Sequence, residues 1–266
     1  MSAATPSTQG TPGDDQKFFF VHLQKTAGTT LFRRLKTHFG AEAVYPMPRY
    51  QGDVAATLDV PLLVSRFAEH RDEIRLVTGH FPLCTTELLD ADFKTFTLLR
   101  EPIERTLSFL RHQRQVDPKF ADSPLEDIYA QPLLRDGLVR NHMVRMLSLT
   151  VDEMTNGALS QVVVDDARLQ RAQRNLVERI DVFGIQEEFE PFCDRLATQF
   201  GWQLGPAHVA NNTPPAEASE ALRQQISADN AIDAELYRFA VERWSERAVA
   251  APGRPAPGRP APGRPA

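Results

Sequence analysis

Cysteine is scarce in this chain: Cys84 and Cys193 are its only two, and they lie far apart. A small secreted scaffold stapled by disulfides would carry more, so both are expected to be free thiols without a role. Long apolar runs are missing too. The longest, such as Phe18-Phe19-Phe20-Val21, fall far below the roughly 20 residues that cross a bilayer. The first 16 residues have neither the basic start nor the apolar stretch of a secretory signal, so the expected location is cytoplasmic. An excess of positive charge is absent as well: 30 Lys+Arg face 35 Asp+Glu, a net charge of −5. Setting aside Arg254, Arg259 and Arg264 in the C-terminal tail, 27 basic residues face 35 acidic ones, a balance of −8. A general nucleic-acid binder leaves a basic footprint, and none is visible. Finally, the chain lacks the Gly-x-x-x-x-Gly-Lys-Ser/Thr loop that cradles nucleoside triphosphates, which weighs against an ATPase or kinase.

What is present is enough for a packed domain, with 42% apolar and 24% charged residues. Residues 1–16, rich in Ser, Thr, Pro, Gly and Asp, read as a disordered leader. The 250–266 segment ends in three copies of Pro-Gly-Arg-Pro-Ala. Such a repeat can build neither a hydrogen-bond ladder nor a core, so it reads as a disordered tail. The foldable body is therefore 17–249, without a repeat of solenoid period.

Within the body, residues 17–23 read as a buried first strand, 75–78 and 93–99 as further strands, and 181–185 as one more. Helical periodicity covers 31–39, 103–115, 123–131, 134–149, 165–180, 188–200, 217–229 and 231–245. Strands alternating with helices predict an α/β fold, an open and mostly parallel sheet flanked by helices, with a helical C-terminal half.

The first chemical feature is the strand–turn–helix around His22-Leu23-Gln24-Lys25-Thr26-Ala27-Gly28-Thr29-Thr30-Leu31. A turn of small residues that opens a helix exposes backbone N–H groups. With a lysine and hydroxyls beside them these form an anion cradle. An ordinary capped strand–helix turn is the alternative. The second feature is Leu98-Leu99-Arg100-Glu101-Pro102-Ile103-Glu104-Arg105-Thr106-Leu107-Ser108. Here a strand ends at Arg100 and a helix begins near Pro102. Arg105, Ser108 and His112 fall on one helical face, and an arginine with a hydroxyl suits a second phosphate group. A solvated basic face is the alternative. The third is Thr78-Gly79-His80-Phe81-Pro82-Leu83, which puts His80 at another strand's carboxyl end, where an imidazole can take a hydroxyl proton near neutral pH.

Together the first two segments resemble the sulfotransferases related to the heparan sulfate 2-O- and 6-O-sulfotransferases and their bacterial relatives. The family's first signature, His-x-Pro-Lys-Thr-Ala-Gly-Thr-Ser/Thr, stands here with Gln24 in place of proline. The second, Leu-Arg-Asp/Glu-Pro-x-x-Arg-x-x-Ser, is intact from Leu99 to Ser108. The stretches Asn141-His142-Met143-Val144-Arg145-Met146-Leu147, Phe183-Gly184-Ile185-Gln186-Glu187 and Asn230-Ala231-Ile232-Asp233-Ala234-Glu235-Leu236-Tyr237 are similar to later family segments. The resemblance implies a P-loop-like fold and a donor, 3′-phosphoadenosine 5′-phosphosulfate (PAPS), used without a metal. It implies that Lys25, Thr26, Ala27, Gly28, Thr29 and Thr30 hold the 5′-phosphosulfate, and that Arg100 and Ser108 hold the 3′-phosphate. It also implies that His80 is the general base and that Lys25 assists catalytically at the leaving oxygen.

The other histidines are expected to stand apart: His22 as a core residue inside the first strand, His112 and His142 as peripheral helix residues. Glu87 is the fallback base. A carbohydrate hydroxyl is the expected acceptor. Arg111, Arg114, Arg135 and Arg140 could form a local basic patch, although the overall charge suits a long sulfated polymer poorly. The rival readings are a nucleotide-dependent kinase, which would need magnesium and ATP, and a non-catalytic PAPS-binding interaction protein.

Overall fold

Residues 18–21 carry no polar side chain, because the strand they form is covered on both faces. This strand, β1 (Lys17–Val21), lies at the centre of a five-stranded sheet. The computed structural model describes residues 15–205 and 218–249. The expected tail, and all of the expected leader except Asp15 and Gln16, lie outside the described residues. The elements that follow are α1 (Gly28–Phe39), β2 (Val44–Tyr45), α2 (Val60–Glu69), β3 (Leu76–Val77), β4 (Phe93–Leu99) and α3 (Pro102–Val116). After these come α4 (Leu125–Tyr129), α5 (Pro132–Leu134), α6 (His142–Ser148), α7 (Asp166–Glu178), β5 (Val182–Ile185), α8 (Phe189–Phe200), α9 (Glu220–Asp229) and α10 (Ala231–Val249). The strand order is β2-β3-β1-β4-β5 and every pairing is parallel. All carboxyl ends therefore share one edge, as in P-loop-like folds.

Aromatic packing fixes β1. Phe20 stacks on Phe96 of β4 with ring centroids 5.0 Å apart, and on the same face Phe18 meets Phe39, Phe200 and Trp202, while Phe19 meets Phe93 on the other. Helix starts carry the caps their sequences supply. Asp59 accepts the Leu62 amide at 2.8 Å, Glu101 that of Glu104 at 2.8 Å, Asp165 that of Arg168 at 3.0 Å and Ser219 that of Leu222 at 3.2 Å. A second apolar cluster joins Leu107 and Leu110 of α3 to α4 and to Leu222 and Ile226 of α9, which anchors α3 on the C-terminal helices.

The sheet and most helices fall where periodicity puts them, with three differences. The first strand ends at Val21 rather than at residue 23, because the Leu23 amide turns back to the Val21 carbonyl at 3.1 Å. The expected 134–149 helix is broken: a single π-helical turn (Arg135–Val139) follows α5, and Asn141 sits at φ 43° before α6 begins. Asn141 is held there from outside, its amide donating to Asn230 Oδ1 at 2.9 Å and its Oδ1 accepting the Asp233 amide at 3.1 Å. Helix α2, with Val60, Leu63 and Phe67 buried at helical spacing, and the two-residue β2 are additions to the expected set. Among the described residues, no helix is long and apolar enough to cross a membrane.

Candidate active site

Three central strands end side by side, and their ends build the site. Phe19 pairs with Val77 of β3 and with Thr95 of β4. Three residues further on, this register brings His22 level with His80. Their rings lie 4.6 Å apart between centroids.

The turn after β1 has the geometry of an anion cradle. Lys25 and Ala27 both take positive φ, 67° and 62°, a conformation that costs a residue with a side chain about 1–3 kcal/mol. Left-handed residues in such a turn aim neighbouring amides the same way. The Thr26 hydroxyl braces the turn by donating to the Leu23 carbonyl at 2.8 Å. The amides of Thr30 and Leu31 return to the Ala27 carbonyl. Those of Lys25, Thr26, Ala27, Gly28 and Thr29 have no acceptor among the described residues, and the start of α1 adds its partial positive charge. Gly28 has no room for a side chain, since a β-carbon there would fall 1.7 Å from His22 Nε2.

Around this turn the cations lack partners of opposite charge. The half-buried Lys25 ammonium is lowered from its ordinary pKa by burial first and by Arg100 second, and no carboxylate among the described residues pairs with it. Arg100 follows directly on β4. Its Nη1 donates to the Lys25 carbonyl at 3.0 Å, while its buried Nε has no partner among the described residues. Burial is the main cause lowering its pKa, with Glu104 and Glu187 opposing. Two like charges held together in a partly dry environment favour an added anion. Ser108 and His112 lie half-buried on α3. His112 is lowered by burial and then by Lys25. Arg105 does not join that face: it is fully buried and its Nη2 donates inward to the Val139 carbonyl at 2.5 Å.

His80 is held in one tautomer. Its Nδ1 lies 3.1 Å from the His22 carbonyl oxygen, which can only accept, so Nδ1 carries the proton and Nε2 keeps its lone pair. Its own amide is fixed on the Thr57 carbonyl at 2.8 Å. Gly79 before it takes φ 144°, and a β-carbon there would meet the Phe81 ring at 2.3 Å. Burial, opposed by the His22 hydrogen bond and aided by Lys25, lowers the His80 pKa, leaving a neutral imidazole at pH 7.

Two histidines expected elsewhere belong here. His22 lies beyond the end of β1, not inside it, with its ring between His80 and Gly28 and stacked on Phe20 at 5.0 Å. Its pKa is well below the ordinary value, through burial, then His80 and Lys25. His142 is on a helix as expected, but fully buried, and its Nε2 accepts the Gln24 amide at 3.5 Å. For His22 the signal was strand register, which a single sequence does not display. For His142 it was a contact 118 residues away in sequence. The fallback base Glu87 is exposed and paired with Arg179 at 2.8 Å, and Arg179 lies beside Thr95 near the amino end of β4, away from this edge. In the suggested arginine patch, Arg135 pairs with Asp136 at 2.9 Å, Arg140 with Asp229 at 3.9 Å, and Arg114 donates to the Ser123 carbonyl. Cys84 and Cys193 are free and buried, with burial pushing their thiols up to about 12 and about 11, which makes them inert. No cluster of three metal-ligating side chains occurs among the described residues.

No family model matches the chain. In sequence it is similar to heparan-sulfate 6-O-sulfotransferase 2 of Mus musculus and of Homo sapiens. Each is 27% identical over 282 aligned positions, covering 88% of this chain and 45% of the relative. The chain spans about half the length of those two relatives. Among solved structures it is similar to a sulfotransferase from Alicyclobacillus acidocaldarius, with 18% identity and a TM-score of 0.49 over 86% of this chain and 98% of the other. Mouse sulfotransferase SULT7A1 complexed with PAP follows, with 11% identity and a TM-score of 0.41 over 80% and 63%.

Proposed function

We propose that this chain is a PAPS-dependent sulfotransferase that transfers a sulfuryl group to an acceptor hydroxyl of a carbohydrate. The observation that carries this reading is the group of unpartnered donors around Lys25. They are five amides without an acceptor and the buried Arg100 Nε, all among the described residues. A donor phosphorylated on both sides of its ribose suits two such groups, and the relationship to sulfotransferases agrees with it.

Bound PAPS would supply the sulfuryl group and a leaving phosphate oxygen. The amides of Lys25, Thr26, Ala27, Gly28 and Thr29, with the Thr30 hydroxyl, hold the 5′ anion. Lys25 keeps positive charge where negative charge develops. Arg100 and Ser108 hold the 3′-phosphate and set affinity. His80 takes the acceptor's proton at Nε2, while its Nδ1–H stays on the His22 carbonyl and keeps the ring aimed.

Calorimetry with 3′-phosphoadenosine 5′-phosphate (PAP), the desulfated donor, tests the reading. PAP is expected to bind without metal, and ATP with magnesium is expected to bind more weakly. His80→Ala is expected to keep PAP affinity and lose about two orders of magnitude in turnover or more. Tighter binding of ATP with magnesium, with no competition from PAP, overturns the proposal.

A further inference from the structure

The 139–145 segment takes no part in the chemistry just described, yet it touches both halves of the site. On one side, His142 Nε2 accepts the amide of Gln24, the residue that leads into the cradle. On the other, the Val139 carbonyl accepts from Arg105 of α3, the helix that follows Arg100 and carries Ser108. Between these contacts the segment is locked. Asn141 exchanges hydrogen bonds with Asn230 and with the Asp233 amide. The Asp233 carboxylate accepts the Met143 and Val144 amides at 3.0 and 2.8 Å. Arg145 Nη1 donates to the Asp136 carbonyl at 2.8 Å and its Nη2 to that of Gly137. Arg105, His142, Asn230 and Asp233 are fully buried, and Asn141 and Arg145 nearly so. These bonds hold the segment from both sides; Arg105 Nε and Nη1, His142 Nδ1 and Arg145 Nε have no partner among the described residues.

The Gln24 contact depends on the chain's departure from the family signature, since a proline there would have no N–H to offer. The imidazole is neutral, as burial and the neighbouring Arg105 and Arg145 hold its pKa well below the ordinary value. A neutral ring keeps one lone pair, and the Gln24 amide puts it on Nε2, so Nδ1 carries the proton and has no partner among the described residues.

We infer that His142 is a positioning residue: through Gln24 on one side and the Val139–Arg105 contact on the other, it fixes the spacing between the 25–29 cradle and the Arg100–Ser108 group. The inference rests on the two-anion reading above. Two anion groups joined by one ribose gain from binding together only if the two subsites keep the matching distance. Loosening that distance weakens the bisphosphate and leaves each monophosphate nearly as before.

The test compares PAP, adenosine 5′-monophosphate and adenosine 3′-monophosphate on three full-length proteins: wild type, His142→Phe and His142→Gln. Phenylalanine keeps the ring and removes the acceptor, whereas glutamine can present an oxygen near the Nε2 position. His142→Phe is expected to weaken PAP by about tenfold while changing each monophosphate by less than about twofold. His142→Gln is expected to recover most of the PAP affinity. Equal weakening of all three nucleotides, unchanged PAP affinity in His142→Phe, or no recovery in His142→Gln each overturns the positioning role. If His142→Phe does not fold, His142→Leu, which also lacks the acceptor, takes its place in the same comparison, with the same supporting and overturning results. Failure of the wild-type protein to bind PAP at all removes the two-anion reading, and this inference with it.

Discussion

At the scale of single residues, the site is governed by how closely His22 approaches the turn. Gly28 is required for space rather than for backbone freedom, because the His22 imidazole occupies the place of a β-carbon. The ring cannot easily withdraw: it is stacked on Phe20, and its own backbone carbonyl holds His80. Gly28→Ala is therefore expected to cost about 1–3 kcal/mol of stability through overpacking and to abolish PAP binding by opening the turn. Adding His22→Ala is expected to restore much of the stability. Denaturant unfolding of the single and double variants measures this. Additive losses would show that the two residues do not meet.

At the scale of elements, the 28–39 and 102–116 helices could be read from their apolar spacing, because that signal is local. The break before α6 could not. Asn141 leaves the helical region only because Asn230 and Asp233, about 90 residues later, take its amide and side chain. The same Asp233 carboxylate caps α6, and its charge is offset mainly by Arg105 and then Arg145. Asp233→Ala removes both cap bonds and leaves the two buried arginines without their counter-charge. Its expected cost is about 1.5–3 kcal/mol, the range for hydrogen bonds to a charged group, read from the denaturation midpoint. A loss below about 1 kcal/mol would mean that the arginines are neutralised by something else.

For the whole molecule, five buried or half-buried histidines set an acid limit. His22, His38, His80, His112 and His142 all have pKa values below the ordinary 6.5 in the native state. Above 6.5 they are neutral in both folded and unfolded chains, and their contribution to stability is complete. As pH falls below 6.5, the unfolded chain takes up protons that the native one refuses. Stability then declines toward the native pKa values. Asp233, raised by burial, opposes this trend once its native carboxyl begins to protonate. The melting temperature is expected to fall steadily between pH 7 and pH 5, and more gently in His142→Phe, which lacks one of the five groups. Identical slopes for the two proteins would show that His142 is not held neutral.

The sequence by itself determined the parallel α/β class, the order of the main elements, and three segments, around Lys25, His80 and Arg100, that could act on an anion or a proton. Each of these depends on local signals: strand hydrophobicity, helical periodicity, turn composition and short motif spacing. Tertiary structure alone decided which histidines meet. Parallel register set His22 beside His80, and the fold of the C-terminal helices drove His142 under Gln24 while drawing Arg105 away from Ser108 into the interior. These are contacts between residues tens to more than a hundred positions apart, made by packing and by the need of buried polar groups for partners, and no local pattern in the chain encodes them.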